Sequence, residues 1–175
     1  PKAGVFYKIN ALQQVYVSYA LGNREPNRDD VLAALATGKE VRPEIMHDVE
    51  LGYKMPHKNF PLNITYYLMY YKDQLVLTGK LNDVGNPLKE NVAASYRTGI
   101  ELNGGFHLFT KSRNIFSINY SFTYSLNRIN SFDEYIYTYN ENYSPVDSLT
   151  QIINHKNTGI AFSPSVVASL ELVAE

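Results

Sequence analysis

A strict two-residue alternation in residues 91–108 constrains the fold of this chain more than any other feature. Apolar, aromatic or small side chains occupy every second position from Val92 to Leu108, and Arg97, Glu101 and His107 are among the residues between them. Successive side chains of a β-strand point to opposite faces of the sheet, so this spacing predicts a strand with one apolar and one polar face. The run is much longer than a usual strand of about 5 to 6 residues. The sequence therefore predicts an unusually long, two-faced strand.

Similar alternation recurs along the rest of the chain. It is found in residues 2–9, 14–22, 47–55, 60–73, 115–127 and 158–173. Neighbouring segments of this kind that are joined by short turns pair as antiparallel hairpins. The pattern predicts an all-β chain, an antiparallel up-and-down meander of roughly seven strands.

The predicted connections differ in length at the two ends of the strands. Short turns at 10–13, 56–59 and 109–114 alternate with long loops at 23–45, 78–91 and 128–157. Within the first long loop, Asp29 and Asp30 precede a run of apolar residues, which predicts a short capped helix over residues 27–37. Short turns at one end and long loops at the other are typical of outer-membrane barrels.

Alternation by itself fits either a membrane barrel or a soluble β-sandwich, because both have one apolar face. Strand length favours the barrel, since about 9 to 11 residues are needed to cross the hydrocarbon layer and residues 60–73, 92–108 and 115–127 exceed that length. Their apolar faces also carry no charge from Phe60 to Tyr70, from Val92 to Leu108 and from Phe116 to Leu126. The alternative is a soluble β-rich module that binds a carbohydrate or a peptide and buries its apolar faces in a closed core.

Several function classes find no support in the composition or the motifs. The net charge of −1 provides no basic surface for nucleic acid, and the absence of cysteine excludes a thiolate metal site. The histidines at 47, 57, 107 and 155 are dispersed, no serine lies in a glycine-flanked elbow, and no glycine-rich phosphate loop is present. We therefore expect no catalytic residues, no metal, no cofactor and no enzymatic activity.

Five short sequences occur in an order that matches a known family. They are VYVSYA at 15–20, NREPNRDD at 23–30, DVELGY at 48–53, YYKDQLVLTG at 70–79, and SYR followed by GIEL between 95 and 102. In their order and spacing these segments resemble the C-terminal barrel half of TonB-dependent outer-membrane receptors, especially those of the Bacteroidetes type. The resemblance spans nearly the whole chain.

The resemblance implies a role in active transport across the outer membrane of a Gram-negative cell. Such receptors form a barrel of about 22 strands. They import a scarce nutrient, usually a ferric siderophore (iron uptake), haem, cobalamin or a glycan, with energy from the TonB complex. Residues 1–175 then represent a partial barrel domain, without the plug domain and the C-terminal closing strands. The implied partners are that plug, the remaining strands, outer-membrane lipid and the TonB complex, but not nucleic acid.

Two groups of polar residues are candidate functional sites. The first group lies on the polar faces of predicted strands, which point into the lumen of a barrel, where its members can pair with one another or with a plug. It consists of Asp48, Glu50, Lys54, Arg97 and Glu101. The second group lies in the first long loop, where polar residues on a rigid sheet commonly bind ligands, although a purely structural role in the loop is the alternative. It consists of Arg24, Glu25, Arg28, Asp29 and Asp30.

Overall fold

The computed structural model describes residues 1–36, 38, 40–81, 87–109, 115–136, 138, 141, 151–160 and 162–174. The described elements are one helix and eight strands. In chain order they are β1 (Lys2–Lys8), β2 (Gln14–Arg24), α1 (Arg28–Ala36), β3 (Glu44–Met55), β4 (Leu62–Leu81), β5 (Pro87–Phe109), β6 (Ile115–Ile136), β7 (Gln151–Gly159) and β8 (Val166–Ala174).

The strands form one antiparallel sheet in which β1 to β7 are neighbours in chain order. This up-and-down meander confirms the predicted fold class. Each pair keeps a continuous register over most of its length, as in the pairing of Ile100 with Tyr66 on one side and Tyr124 on the other. Because a shift of one residue would exchange the two faces of a strand, this register fixes which side chains share a face.

The last predicted strand, residues 158–173, is interrupted, so eight described strands occupy seven places in the sheet. β7 pairs with residues 128–136 of β6 and β8 pairs with residues 116–124. Together they occupy the place of one strand beside β6. The described residues 160 and 162–165 follow the pair Arg128–Gly159 and precede the pair Tyr124–Val166, while only residues 125–127 of β6 lie between the same two pairs. Such an excess of residues on one strand bends it and separates two stretches of regular pairing.

Two of the predicted long loops are largely strand. β4 and β5 continue as a hairpin to Leu81 and Pro87, although residues 78–91 were expected to form a loop. β6 continues to Ile136 and β7 begins at Gln151, within the predicted loop 128–157. The connections at one end of the sheet therefore look long in the sequence because β4, β5, β6 and β7 extend beyond the neighbouring strands there.

The predicted capped helix is confirmed as α1 in the first long connection. The Asn27 side chain accepts a hydrogen bond from the Asp30 backbone N–H at 2.7 Å, and the Asp30 carboxylate accepts one from the Asn27 N–H at 3.4 Å. This reciprocal arrangement satisfies amide groups that the first turn of a helix leaves without partners. Among the described residues, no helix has the length and hydrophobicity needed to cross a membrane.

The sheet is a single layer whose apolar side chains form continuous rows across one face, here called the apolar face. One row crosses seven strands and consists of Val5, Val17, Leu51, Tyr66, Ile100, Tyr124 and Val166. All seven side chains are exposed, and among the described residues only Ala34, Leu75, Val92 and Ile129 are buried apolar residues. The closed core required by a soluble β-module is not present in this part of the chain.

Candidate functional site

The five strand residues predicted to form one polar site do share a face. Asp48, Glu50, Lys54, Arg97 and Glu101 all lie on the side of the sheet opposite the apolar face, here called the polar face. Asp48 pairs with Met69 and Met69 pairs with Arg97, so the acid and the base lie in one row with a methionine between them. The register thus places this predicted set on one surface.

These side chains contact hydroxyl groups and aromatic rings instead of one another. Ser18 donates a hydrogen bond to the Glu50 carboxylate at 3.3 Å. The Lys54 ammonium lies 4.9 Å from the centre of the Tyr16 ring. A similar cation–π contact places the guanidinium carbon of Arg97 5.4 Å from the centre of a tyrosine ring at position 71. Within the described residues, no ion pair joins two of the five.

The polar face also contains buried polar atoms that have no hydrogen-bond partner among the described residues. They are Asp48 Oδ1, Asn63 Oδ1, Arg97 Nε and His107 Nε2. All four residues belong to polar-face rows of β3, β4 and β5. Leaving a buried donor or acceptor unpaired costs about 1–3 kcal/mol. A polar partner lying against this face would recover that free energy.

Two tyrosine rings lie flat on the polar face above glycines of the adjacent strand. The Tyr16 ring covers Gly52 and reaches Thr65 on the next strand, where the two hydroxyl oxygens are 3.1 Å apart. The Tyr67 ring covers Gly99 in the same way. A Cβ at either glycine would overlap the ring, so the glycines permit the close approach. The two rings therefore lie close to the backbone of the polar face between β2 and β5.

The predicted ligand-binding loop residues divide into two sets. Arg24 is ion-paired with the buried Glu44 at 2.6 Å, and Asp30 is ion-paired with Lys89 at 2.9 Å. These ion pairs join Arg24 to β3 and Asp30 to β5. The other three predicted residues, Glu25, Arg28 and Asp29, are exposed around the start of α1.

One asparagine that the sequence analysis did not select connects this loop to the sheet. The Asn91 side chain accepts a hydrogen bond from the Arg42 N–H at 2.8 Å and donates to the Arg42 carbonyl at 2.9 Å. It also donates to the Asp73 carbonyl at 2.6 Å. The Arg42 guanidinium adds an ion pair to the Asp73 carboxylate at 2.9 Å. Asn91 therefore fixes the end of the loop to both strands of the β4–β5 hairpin.

The loop is attached where β4 bends. Asp73 has a positive φ of 56° and is buried, although a residue with a side chain rarely adopts this conformation. Glu44 accepts hydrogen bonds from Arg24 and from the Leu75 N–H, both at 2.6 Å. These buried polar groups are hydrogen-bonded, as the low dielectric of a buried site requires. They form a specific junction between the loop and two strands.

Metal ligation finds no support in the part of the chain that the structure describes. No group of three or more histidine, aspartate or glutamate side chains there is arranged to hold an ion. A cavity of about 410 Å³ lies near the short turns, between Lys54, Pro56, Pro61 and Asn103. The polar face and the anchored loop therefore remain the candidate functional surfaces.

The two faces and the meander define the class of protein. A one-layer antiparallel sheet with an exposed apolar face and a polar opposite face is the wall of a transmembrane β-barrel, which has lipid on one side and a polar interior on the other. The sequence model of the family described as TonB dependent receptor-like, beta-barrel, matches residues 1–171, so the chain belongs to that family. No curated protein matches the chain.

Proposed function

We propose that residues 1–175 are one part of the barrel wall of an active-transport receptor in the outer membrane of a Gram-negative cell. The main support is the division of charge between the faces. Every carboxylate in strand residues 2–8, 14–24, 44–55, 62–72, 94–108, 116–128 and 166–174 lies on the polar face. A charged side chain on the lipid face at the membrane midplane costs about 2–4 kcal/mol for Arg or Lys, which favours this division.

The remaining strands of the barrel pair with the two outer strands of this sheet in the proposed receptor. β1 forms one margin and the interrupted β7–β8 strand forms the other. Unpaired backbone groups are not tolerated in the hydrocarbon layer, so both margins need partner strands there. The proposed domain is therefore a partial barrel whose closing strands are supplied by the same receptor.

The polar face is the proposed contact surface for the plug domain. The buried and unpaired atoms of Asp48, Asn63, Arg97 and His107 favour a partner that supplies both hydrogen-bond donors and acceptors. Glu50, Lys54 and Glu101 extend the same surface with charges of both signs. The plug would also connect the barrel to the TonB complex.

The loop around α1 is the proposed contribution of this segment to ligand binding. Glu25, Arg28 and Asp29 remain exposed there, while Arg24 and Asp30 hold the loop in place through their ion pairs. The proposed cargo is a scarce nutrient of the ferric siderophore, haem, cobalamin or glycan class. A loop held on a rigid sheet can offer fixed polar contacts to such a ligand.

Uptake by the complete receptor tests the transport function directly. We expect a labelled compound from one of these four nutrient classes to enter cells that express the receptor, and we expect entry to stop when TonB is deleted or the proton gradient is dissipated. The measurement is accumulation of each labelled compound with and without TonB. Uptake that is equal in both backgrounds contradicts active transport.

Charge reversal at Arg97 tests the contact between the polar face and the plug. Arg97→Glu places a second carboxylate in the row of Asp48, and we expect it to lower plug-dependent uptake about tenfold, the equivalent of 1.4 kcal/mol. Arg97→Lys keeps the charge and serves as the matched control. The amount of folded receptor in the membrane is measured for both variants. An Arg97→Glu receptor that assembles and transports like the parent contradicts the proposed contact.

A further inference from the structure

On the apolar face, basic side chains occur only near one end of the strands, the end next to α1. In strand residues 2–8, 14–24, 44–55, 62–72, 94–108, 116–128 and 166–174, the basic residues of this face are His47, Lys72 and Arg128. Each is the first polar side chain that follows the apolar row of its strand toward the α1 end of the sheet. Within those residues the face has no aspartate or glutamate; the acids of the same face lie farther out, where Glu90 pairs with Val76 on β4 and Glu134 is 2.7 Å from His155. The face therefore ends in a border that is positively charged.

Two of these cations lie close enough to contact one bound group. Tyr70 pairs with Tyr96, and Tyr96 pairs with Arg128, so these three residues form one row. With neighbouring strands about 4.8 Å apart, the Cα atoms of Tyr70 and Arg128 are roughly 10 Å apart. Lys72 lies two residues beyond Tyr70 on the same face. The long side chains of Lys72 and Arg128 can thus converge over the two tyrosine hydroxyls.

The described contacts leave both cations able to bind an anion. Arg128 donates one hydrogen bond, from Nη1 to the Asn157 carbonyl at 3.3 Å, and a guanidinium has five N–H donors. The Lys72 side chain is exposed. Within the described residues neither cation is in an ion pair, in contrast to Lys89, which is paired with Asp30. A pair of basic groups with remaining donors favours a ligand with phosphate oxygens.

The position of the cations identifies the source of that phosphate. They border a face whose exposed side chains include Leu68 and Leu126, and an apolar face of this kind contacts lipid in a barrel. Tyrosine is enriched at the level of the lipid headgroups, which is also where lipid phosphates lie. A lipid bound by its acyl chains to the apolar rows would place its headgroup beside Lys72 and Arg128.

We propose that Lys72 and Arg128, with Tyr70 and Tyr96 between them, bind the anionic phosphate headgroup of a membrane lipid on the outer surface of the barrel. This inference rests on the proposed function, because it requires the apolar face to contact a bilayer. It adds a lipid site at the end of the apolar face that lies next to the α1 loop. The site is separate from the polar face and from the proposed ligand loop.

The experiment measures binding of phosphatidylglycerol to the purified complete receptor. Native mass spectrometry counts the lipids retained as phosphatidylglycerol is added, with phosphatidylcholine, a zwitterionic lipid without net charge, as the comparison. We expect Lys72→Gln and Arg128→Gln each to weaken phosphatidylglycerol binding about fivefold, and the double variant about 25-fold. Binding of phosphatidylcholine should not change. Lys8→Gln, which removes a cation from the polar face, is the matched control and should bind like the parent.

The outcomes separate the lipid site from the proposed function. Equal binding by the parent and the double variant overturns the headgroup site, and so does a similar loss in Lys8→Gln. Displacement of the lipid by inorganic phosphate at the same concentration overturns the assignment to a membrane headgroup. Each of these results leaves the transport receptor standing if the parent inserts and transports. A parent receptor that fails to insert into bilayers overturns the proposed function, and the lipid site with it.

Discussion

Ile100→Arg is expected to destabilise the folded receptor in the membrane. Ile100 lies in the middle of the seven-strand apolar row, between Tyr66 and Tyr124, and about half of its side chain surface is exposed. An arginine that faces lipid near the midplane costs about 2–4 kcal/mol. Net stabilities of folded domains are only about 5–15 kcal/mol, so this loss is a large fraction of the total. Denaturant unfolding of the receptor from lipid vesicles measures it.

The matched control places the same residue on the opposite face of the same strand. Asn103 is an exposed residue of the polar face, three positions from Ile100. Asn103→Arg should assemble to the parental level, because an arginine there projects into the polar interior. Equal stability of the two variants would falsify the assignment of the apolar face to lipid. A loss in Asn103→Arg alone would indicate that the faces are reversed.

Asn91→Leu is expected to release the α1 loop from the sheet. The substitution removes three hydrogen bonds, two to the backbone of Arg42 and one to the Asp73 carbonyl. Each polar group left unpaired costs about 1–3 kcal/mol, so we expect a loss of about 3 kcal/mol in the free energy that holds the loop in place. This corresponds to a rise of roughly a hundredfold in amide hydrogen exchange. The measurement is exchange mass spectrometry of peptides that cover residues 27–42.

Asn103→Leu is the control for loop release, because it removes an exposed asparagine from the same strand without affecting the loop. We expect it to exchange like the parent in residues 27–42. The Asn91→Leu receptor should also bind its ligand more weakly, since Glu25, Arg28 and Asp29 lose their fixed position. Unchanged protection of the loop in Asn91→Leu contradicts the anchoring role. Release of the loop without loss of ligand affinity contradicts its role in binding.

The sequence predicted the membrane-spanning parts of the strands well, because their two faces meet different surroundings. Residues 92–108 alternate clearly, and the structure confirms a strand there with the expected division of side chains. Alternation disappears in residues 128–159, where the charged residues Asp133 and Glu134 are adjacent. Side chains on both faces of this projecting hairpin are mostly exposed, so no apolar face is required. The strands in it were therefore predicted as a loop.

The candidate site was only partly accessible from the sequence. Five charged residues were assigned to one face because a two-residue period determines facing once a strand is recognised. Asn91 was missed because its hydrogen bonds reach the backbone atoms of distant residues, which leaves no characteristic spacing in the sequence. The bend at Asp73 gave no signal either, since it occurs without a glycine or a proline. The interruption at residues 160–165 depends on the register with β6 and equally lacks a local pattern.

The two tyrosine rings that lie over glycines also restrict how this wall can change by mutation. A side chain at position 52 can be accommodated only if the ring at position 16 is lost or turns away, whereas at position 99 an added Cβ would overlap the backbone carbonyl of Tyr124 as well as the Tyr67 ring. A single substitution at either glycine must pass through an overpacked intermediate. Gly52 can therefore be replaced only after Tyr16, 36 residues away, has changed, and Gly99 is held by the backbone of β6 as well as by Tyr67.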